Sequence, residues 1–379
     1  MSSEGIKTLV ILDQASGYLK IDMLKAYALK YPNRAIVAGT IVERGSPLPK
    51  EVRWHKIVRY NRSTSIRRLV TWLAGTFGMF WVVFTRYRNA HIVAITNPPF
   101  SIFVPWLLRA KSYDVVVYDM YPDALAHYGY VKKSSVVYRS WAYLNKRVFE
   151  KANRVITLTE GMERLVNYYM PKDRSAEVIH LWSDAQDFKN IPREENEILK
   201  QTSTQDKFVI VYSGNLGKTH PVEKLIELAE YLDSKKYAII IIGDGAKKRV
   251  LKEFVTTKKL SHVHLLPWQP AKLLSHNLYA GHINAVTLDE EAGDLSIPSK
   301  TFNILSVGNP VLGICEESSD LAKLILENKC GLVSRASEMK NLAQRIIQLH
   351  GSENEYLKMK ENSLRTSKKF SKENANKYI

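Results

Sequence analysis

The sequence predicts an α/β protein with two doubly wound domains, each built on a parallel sheet with helices on both faces. Short β-branched runs alternate with longer helical patterns, which is typical of βαβ units. The strand runs are uniformly apolar, as in sheets that are covered on both faces. The alternation stops near residue 190 and then starts again, and 379 residues exceed the about 100–200 of one ordinary domain.

The first series of elements predicts a domain of residues 1–190. Its predicted strands are the runs TLVILD, AIVAGT, HIVAIT, DVVVYD, RVITLT and AEVIHL. Its predicted helices cover residues 21–30, 69–85, 134–152 and 161–169. The helix at 69–85 is uncharged but only about 17 residues long, the short limit for a membrane span, so we expect a buried or interfacial helix.

A polar stretch, NIPREENEILKQTSTQDK, indicates a linker into a second domain of residues 191–355. The strand runs of this domain are FVIVYS, YAIIIIGDG, VHLLP, INAVTL, PVLGI and GLVS. Its predicted helices lie at 222–234, at 247–260 and from about residue 299 onward. Residues 356–379 predict a C-terminal helix that returns to the first domain.

The chain is strongly basic, with 55 Lys and Arg against 38 Asp and Glu, a net charge of +17 and a pI near 9.5. Such a field attracts anionic partners, and both nucleic acid and the anionic lipid of a cytoplasmic leaflet qualify. In the first domain, basic residues recur among large apolar ones: Lys20, Lys25, Lys30, Arg59, Arg62, Arg67, Arg68, Arg86, Arg88, Arg109 and Lys111. A solvated charged face is equally compatible with this pattern.

Two further features predict a cytoplasmic location. Cys315 and Cys330 are the two cysteines of the sequence and lack metal-ligand spacing, so we expect free thiols in a reducing compartment. The N-terminal run MSSEGIKTLVILDQASG leads directly into a strand pattern without the basic start and cleavage site of a secretory signal.

Glycine-rich turns follow two strands of the second domain. The run SGNLGK at 213–218 comes directly after FVIVY and could let backbone N–H groups approach a phosphate, although an ordinary βα turn looks the same. Its spacing is not that of a dinucleotide fingerprint. Gly243 lies in a second such turn, and Trp268 with Gln269 follows a third strand, where an indole can stack on a base or pack against protein.

The most informative run is DLSIPSKTFNILSVGNPV at 294–311. Here Ser299 is predicted to cap a helix, and Lys300 adds a full positive charge beside the open N–H groups of its first turn. A diphosphate leaving group needs this combination, because negative charge grows on it as the bond to the sugar breaks.

The string PSKTFNILSVGNPVLG resembles the donor-site helix of the retaining glycosyltransferases of family four, especially their bacterial surface-polysaccharide branch. Further strings resemble blocks of that branch over almost the whole chain: YSGNLGKTHPVEKLIELA, GDGAKKRVL, ITNPPF, YDMYPDALAHYG, ANRVITLTEGM and VIHLWSD. The resemblance implies the GT-B architecture, in which two Rossmann-like domains face a central cleft. It also implies a nucleoside-diphosphate sugar, such as a UDP-sugar, in the second domain and an acceptor in the first.

Carried over to this sequence, the resemblance implies one set of donor-site residues. They would meet the base, the sugar and the diphosphate: Gly17, Gly214, Asn215, Gly217, Lys218, Gly243, Trp268, Gln269, Asp294, Ser299, Lys300 and Asn303. The family commonly has two acidic residues eight apart, but this chain has Leu295 and Asn303 there, with Asp294 as a candidate substitute for the first. Asn215 replaces a common arginine, which leaves more of the phosphate charge to Lys218 and Lys300.

On the acceptor side, the resemblance points to Asp119, which could orient or deprotonate an acceptor hydroxyl, and to Asn97 and Glu160 as weaker candidates. A turn-capping role for Asp119 is the alternative. Neither an Asp-x-Asp motif at a strand end nor a His and carboxylate cluster with ligand spacing is present, so we expect no bound metal and no cofactor.

These observations predict a metal-independent glycosyltransferase in which Lys218 and Lys300 stabilise the departing nucleoside diphosphate, and the resemblance implies transfer with retention of the anomeric configuration. The basic, aromatic first domain suggests a lipid-linked saccharide acceptor and a peripheral position on the anionic inner face of the cell membrane, with no nucleic-acid partner. A sugar-nucleotide epimerase of the same architecture and a noncatalytic basic scaffold remain alternatives.

Overall fold

The computed structural model describes residues 6–43, 46–61, 63–127, 129–183, 188–217, 220–289 and 297–379. The chain divides into two compact units. The first unit contains Met1–Leu181 together with Lys372–Ile379, and the second contains Trp182–Ser371.

The first unit is built on a seven-stranded parallel sheet with the order β5-β3-β1-β6-β7-β8-β9, beside a two-stranded parallel pair, β2 and β4. The strands are β1 Thr8–Leu12, β2 Ala15–Gly17, β3 Asn33–Ala38, β4 Thr40–Val42, β5 Val52–Lys56, β6 His91–Ile95, β7 Ser112–Val116, β8 Val155–Thr157 and β9 Glu177–Val178. The helices are α1 Tyr18–Ala26, α2 Ser65–Arg86, α3 Phe103–Leu107, α4 Asp123–His127, α5 Val136–Lys151 and α6 Glu160–Asn167.

Strand β1 is the centre of the first sheet, because it pairs in parallel with β3 on one side and with β6 on the other. Both β1 and β6 are buried along almost their whole length, which explains their uniformly apolar sequences. Open α/β sheets bind ligands at the carboxyl ends of such neighbouring strands, where the connections diverge to opposite sides. The residues that follow β1 and β6 are therefore the place to look for chemistry in this unit.

The second unit is built on a six-stranded parallel sheet with the order β12-β11-β10-β13-β14-β15. The strands are β10 Phe208–Ser213, β11 Tyr237–Ile242, β12 Val263–Leu266, β13 Ile283–Thr287, β14 Val311–Ile314 and β15 Gly331–Ser334. The helices are α7 Glu197–Thr202, α8 Glu223–Ala229, α9 Lys248–Thr257, α10 Leu274–Ala280, α11 Lys300–Ser306, α12 Asp320–Glu327, α13 Met339–His350 and α14 Glu353–Ser367. Here β10 takes the central position between β11 and β13.

The predicted class, an α/β protein with two doubly wound parallel sheets, is confirmed. The predicted free thiols are also confirmed, since Cys315 and Cys330 are both unpaired and buried. Burial raises the pKa of each thiol to about 11, so neither is a thiolate at neutral pH.

Three boundary predictions need correction. The first unit ends at Leu181 rather than at residue 190. The predicted linker contains α7, because Asn196 accepts from the backbone N–H groups of Ile198 and Leu199 and caps a helix that the polar composition concealed. Helix α14 packs against α11 and α13 in the second unit, and it is Lys372–Ile379 that belongs to the first unit.

Helix α2 has two apolar faces. One face packs into the first unit through Trp72, Gly75, Met79 and Val83, all buried. The opposite face carries large exposed apolar side chains, so the predicted helix at 69–85 is packed on one side only. Among the described residues, α2 is the one helix long and apolar enough to cross a membrane, and 22% of its most apolar window is buried.

Candidate donor site and acceptor-side cluster

Two turns at the carboxyl edge of the second sheet are joined by backbone hydrogen bonds. The first turn follows β10 and contains Gly214, and the second follows β11 and contains Gly243. The N–H of Gly214 donates to the carbonyl of Ile242 at 2.9 Å, and the N–H of Leu216 donates to the carbonyl of Asp244 at 2.9 Å. A Cβ atom on Gly243 would lie 1.9 Å from the carbonyl oxygen of Gly214. The two turns therefore approach each other at a distance that requires glycine at position 243.

Lys300 lies directly against the first of these turns. Its ammonium is 3.7 Å from the centre of the Tyr212 ring, and a Cβ on Gly214 would be 3.0 Å from Lys300 Nζ. The hydroxyl of Tyr212 donates to the backbone carbonyl of Asn215 at 2.8 Å, which fixes the ring beneath the turn. The structure thus brings together Gly214, Gly243 and Lys300, three of the predicted donor-site residues that lie far apart in the chain.

Among the described residues, little compensates the charge of Lys300. The residue keeps some exposed surface, but burial of its ammonium lowers its pKa to about 7. Within the described part of the chain, a π face rather than a carboxylate neighbours the ammonium. Binding of an anion next to such a cation is strongly favourable, because the free-energy cost of removing water from the ammonium has already been met during folding.

His220 is a neighbour that sequence reasoning missed. Its Nδ1 lies 3.0 Å from the carbonyl oxygen of Thr287, at the end of β13. Burial, followed by the positive charge of Lys300, lowers its pKa. A neutral imidazole next to the predicted phosphate turn is a candidate hydrogen-bonding group for a ligand. No pattern in the sequence around His220, which follows the SGNLGK run, singled it out as a site residue.

The predicted cap of α11 is wrong. Ser299 is exposed, has helical backbone angles and makes no side-chain bond to the first turn. The turn is closed instead by backbone bonds, from the N–H of Thr301 to Pro298 and from the N–H of Phe302 to Ser299. Because the Ser299 hydroxyl is not used by the helix, its predicted contact with a diphosphate stays a prediction.

Asn303 has a partner within the second unit. The hydroxyl of Ser183 donates to Asn303 Oδ1 at 2.8 Å and lies 3.3 Å from the hydroxyl of Ser306. The side-chain oxygen of Asn303 therefore has a donor, and in the predicted donor site its amide NH₂ would be the group that meets a ribose. A carboxylate at this position would accept from a ribose hydroxyl, whereas Asn303 would donate to one.

The remaining predicted donor-site residues lie near the same edge of the sheet. Asn215 is exposed, and a Cβ on Gly217 would lie 2.9 Å from its side-chain nitrogen. Trp268 follows β12 with 60% of its surface exposed, so it does not pack into the core of its own unit. The side chain of Gln269 donates to the carbonyl of Pro267 at 2.9 Å. The predicted residues Lys218 and Asp294, and Leu295 beside them, lie outside the described residues.

The first unit contains a buried charge cluster at the carboxyl edge of β1 and β6. The side chain of Asn97 donates to Asp13 Oδ1 at 2.7 Å and to the carbonyl of Ala15 at 3.2 Å. The ammonium of Lys20 is 3.4 Å from Asp13 Oδ2 and 3.9 Å from the centre of the Tyr118 ring. Burial raises the pKa of Asp13 and lowers the pKa of Lys20, each partly offset by the charge of the other.

Sequence reasoning found Asn97 here but missed Asp13, and it counted Lys20 only as one of many basic residues. The available signal was the position of Asp13 directly after the apolar run TLVIL, at a strand end. Asn97 holds Asp13 in place, so its predicted acceptor role would be exerted through that carboxylate. The cluster is the one place in the described first unit where a buried carboxylate and ammonium meet at the ligand-binding edge.

We expect Lys20→Met to destabilise the protein by about 3–5 kcal/mol, because it leaves the Asp13 carboxylate buried without its partner. Thermal unfolding at neutral pH measures this as a lower Tm. Adding Asp13→Asn to the same variant removes the remaining charge and should recover most of the loss. Equal melting of Lys20→Met and the unchanged protein would contradict the assignment of a buried ion pair.

Three other predicted residues lie apart from these contacts. Gly17 forms part of β2, and a Cβ there would make an ordinary 3.5 Å contact with Val42, so glycine is not sterically required. Asp119 is exposed, and its N–H donates to the hydroxyl of Thr96 at 3.2 Å, beside Asn97. Glu160 opens α6 at the surface, with its carboxylate 3.5 Å from His180 Nε2.

Within the ranges that the structure describes, no group of three or more His, Cys, Asp or Glu side chains has the arrangement of a metal site. At the two strand edges described above, the groups available for chemistry are the ammonium groups of Lys20 and Lys300, the imidazole of His220, backbone N–H groups and the buried carboxylate of Asp13.

Comparison with known families shows what the region that carries the Lys300 site is similar to. Residues 194–366, somewhat less than half of the chain, match the family model described as glycosyl transferases group 1. We refer to residues 194–366 as the group 1 domain, after the family model that they match. The match covers both glycine turns, Trp268 and helix α11, so every described second-unit residue of the candidate site belongs to it.

Individual relatives extend the likeness beyond the group 1 domain. WbjE of Pseudomonas aeruginosa, named as a probable glycosyltransferase, is 25% identical over 280 residues, which are 72% of this chain and 70% of WbjE. WcaI of Escherichia coli K12, whose name provisionally assigns it as a colanic acid biosynthesis glycosyl transferase, is 30% identical over 38% of this chain and 36% of its own length.

A crystal structure of HepE from Anabaena in complex with UDP and glucose superposes on the chain with a TM-score of 0.72. The superposition covers 98% of each chain at 16% identity. At that identity the likeness concerns the fold, and the chain accordingly has the GT-B fold of two Rossmann-like units. The group 1 domain is the second of these units, and the Asp13 cluster lies in the first.

Proposed function

We propose that this protein is a glycosyltransferase that moves a sugar from a nucleoside-diphosphate donor to a lipid-linked saccharide in surface-polysaccharide synthesis. The observation that carries the proposal is Lys300, a buried ammonium with a pKa of about 7 that contacts a glycine turn of the group 1 domain. HepE was crystallised with UDP and glucose, which supports a UDP-sugar as donor. WcaI is named for colanic acid biosynthesis, which supports a polysaccharide pathway.

In the proposed reaction, the bond between the sugar and the diphosphate breaks and negative charge develops on the leaving phosphate. Lys300, together with Lys218 and N–H groups of the 213–218 turn other than those of Gly214 and Leu216, would hold that charge. An acceptor hydroxyl attacks the same face of the sugar, so that the anomeric configuration is retained, and the leaving phosphate accepts the hydroxyl proton. Asp119 and the Asn97–Asp13 pair would orient the acceptor. These groups supply the needed charge without a metal ion.

The proposed acceptor and location follow from the surface of the first unit. A polyprenyl-diphosphate saccharide is anionic and lies at a membrane, and the first unit combines a basic surface with an exposed apolar helix face. We therefore propose a peripheral position on the cytoplasmic face of the cell membrane. Binding to anionic lipid is sufficient to account for the basic surface of the first unit, so the proposal includes no nucleic-acid partner.

The first test is calorimetry with UDP, GDP, TDP, CMP and their common sugars, each with EDTA and with added magnesium. We expect binding of one nucleoside diphosphate in both conditions. Trp268→Ala should weaken that binding by roughly 5- to 100-fold through lost base stacking, with little change in Tm because the indole is exposed. Tyr231→Ala, which also removes an exposed ring of the second unit, serves as the matched control and should leave affinity unchanged.

Other outcomes would contradict parts of this proposal. No binding by any nucleotide would favour a noncatalytic scaffold, and interconversion of two sugars on the nucleotide without an acceptor would favour an epimerase. Binding that needs magnesium would refute metal independence. Proton NMR of the first product formed distinguishes retention from inversion at the anomeric carbon.

A further inference from the structure

The outward face of helix α2 carries a continuous apolar stripe. Its members recur at intervals of three or four residues, which places them on one side of a helix: Ile66, Val70, Leu73, Phe77, Trp81 and Phe84. Phe77 is 68% exposed and Trp81 is 57% exposed. We call these six residues the α2 stripe. Large apolar side chains in such an arrangement mark an interaction site rather than ordinary surface.

The charge around the α2 stripe has one sign. Residues 52–113 contain ten Lys and Arg and no Asp or Glu, and so supply ten of the seventeen net positive charges of the chain. Arg67 and Arg68 lie in the first turn of α2, and Arg86 ends it. The guanidinium of Arg88 lies 4.4 Å from the centre of the Phe84 ring. An apolar face whose own segment carries cations and no anions is complementary to an anionic, apolar partner.

A pocket of about 450 Å³ lies at the C-terminal end of the stripe, between β5 and α2. Its walls carry two cations, Lys56 and Arg86, with aromatic rings beside them, and are completed by Trp54, His55, Trp81, Val82 and Thr85. Burial and the charges of Arg86 and Arg53 lower the pKa of His55. The indole N–H of Trp54 donates inward to the carbonyl of Ala38 at 2.9 Å, so the ring forms a fixed wall. The pocket suits a phosphate group.

From these features we propose that the α2 stripe lies in the headgroup and acyl boundary of an anionic lipid bilayer, with a lipid phosphate in the pocket of Lys56 and Arg86. The inference rests on the membrane location proposed above but not on the transferase chemistry. Apolar side chains gain from burial in that boundary, and each nearby Lys or Arg gains from the anionic lipid surface. The stripe and its cations thus act together on one partner.

A surface position fits α2 better than a span. Gly75 faces Gln14, since a Cβ there would lie 2.4 Å from Gln14 Nε2, and that side chain donates to the carbonyl of Thr71 at 2.7 Å. Met79 and Val83 are fully buried. If α2 crossed a bilayer, these contacts would be broken. If α2 lies on the bilayer surface, they stay intact. The absence of acidic residues from 52–113 also disfavours a second copy of the same face, because like charges would meet.

The test is flotation of the whole protein with vesicles of phosphatidylcholine alone or mixed in equal parts with phosphatidylglycerol, at low and high salt. We expect binding to the mixed vesicles only, weakened by salt. Lys56→Ala with Arg86→Ala should weaken binding about 30-fold, at about 1 kcal/mol per charge. Phe77→Ser with Trp81→Ser should reduce it at least tenfold. The matched controls are Lys235→Ala with Lys340→Ala for charge and Leu326→Ser with Ile347→Ser for apolar surface, all exposed in the second unit.

Three results would overturn the inference. They are unchanged binding by both α2 variants, equal loss in the control variants, and a dimer that Phe77→Ser with Trp81→Ser converts to a monomer while vesicle binding persists. A fourth such result is full competition by inorganic phosphate with the vesicles, which would show a soluble anion site in place of a lipid site. UDP binding is measured on each variant as well. Loss of vesicle binding by the α2 variants with intact UDP binding supports the α2 stripe as the membrane-binding surface. Absence of UDP binding in every protein, the unchanged one included, counts against the proposed function and not against this inference.

Discussion

Lys300→Ala should lower the turnover of sugar transfer by about 10²–10³-fold while weakening donor binding much less. The reason is that an ammonium at the diphosphate gains most when the leaving phosphate takes on charge in the transition state. Initial rates with saturating donor give the kcat effect, and calorimetry with UDP gives the binding effect. Lys224→Ala, which removes an ammonium paired to Glu227 elsewhere in the second unit, is the control and should change neither.

The pKa of Lys300 adds a pH signature to this prediction. In the ligand-free protein the pKa is about 7, so at pH 8 most molecules carry a neutral amine. A bound diphosphate favours the charged form, and UDP binding at pH 8 should therefore take up a proton. Affinity should fall up to tenfold per pH unit above 7 until the pKa of the complex is reached. Binding heats in buffers of different ionisation enthalpy measure the uptake, which Lys300→Ala should abolish.

The lowered pKa of Lys300 also affects folding. Stability should rise with pH, whereas UDP affinity should fall. Between pH 7 and 10.5 the unfolded chain holds the Lys300 proton and the folded protein does not, so stability rises with pH across this window. Lys300→Ala should flatten that rise in Tm. Unchanged turnover, or proton uptake that persists in the variant, would exclude Lys300 from the role proposed for it.

Gly243→Ala should abolish donor binding and lower the stability of the second unit by about 1–3 kcal/mol or more. The added Cβ would lie 1.9 Å from the carbonyl oxygen of Gly214, and backbone on both sides leaves no flexible side chain to move away. Position 243 also has φ of +156°, which L side chains rarely adopt. The two turns must therefore separate, and the close approach of Gly214 to Lys300 is then lost. Thermal unfolding and UDP calorimetry measure the two effects.

Gly331→Ala is a matched control for this prediction. A Cβ there would also lie 1.9 Å from a backbone carbonyl, that of Val311, but at the beginning of β15 and so at the opposite edge of the sheet. We expect a comparable loss of stability with UDP affinity retained in the folded protein. If both variants lose affinity to the same extent, the effect of Gly243→Ala reflects general destabilisation and not the geometry of the turn.

The sequence by itself determined the features that depend on local pattern. Alternating β-branched and helical runs predicted both parallel sheets, and the positions of the SGNLGK and GDG runs placed two turns after strands at the carboxyl edge. That Gly214, Gly243 and Lys300 belong to one donor site was implied by the family resemblance. These predictions succeed because parallel strands bring their carboxyl ends to one edge, wherever they lie in the chain.

The tertiary structure alone decided the environment of each of those groups. The pKa of Lys300, the contact between Gly214 and Gly243, and the Asp13–Lys20 pair depend on atoms that are distant in sequence. Ser299 looked like a helix cap, yet the backbone closes that turn. The apolar helix at 69–85 has one packed and one exposed face, because burial is set by which side meets the core and a single run of apolar letters cannot specify it.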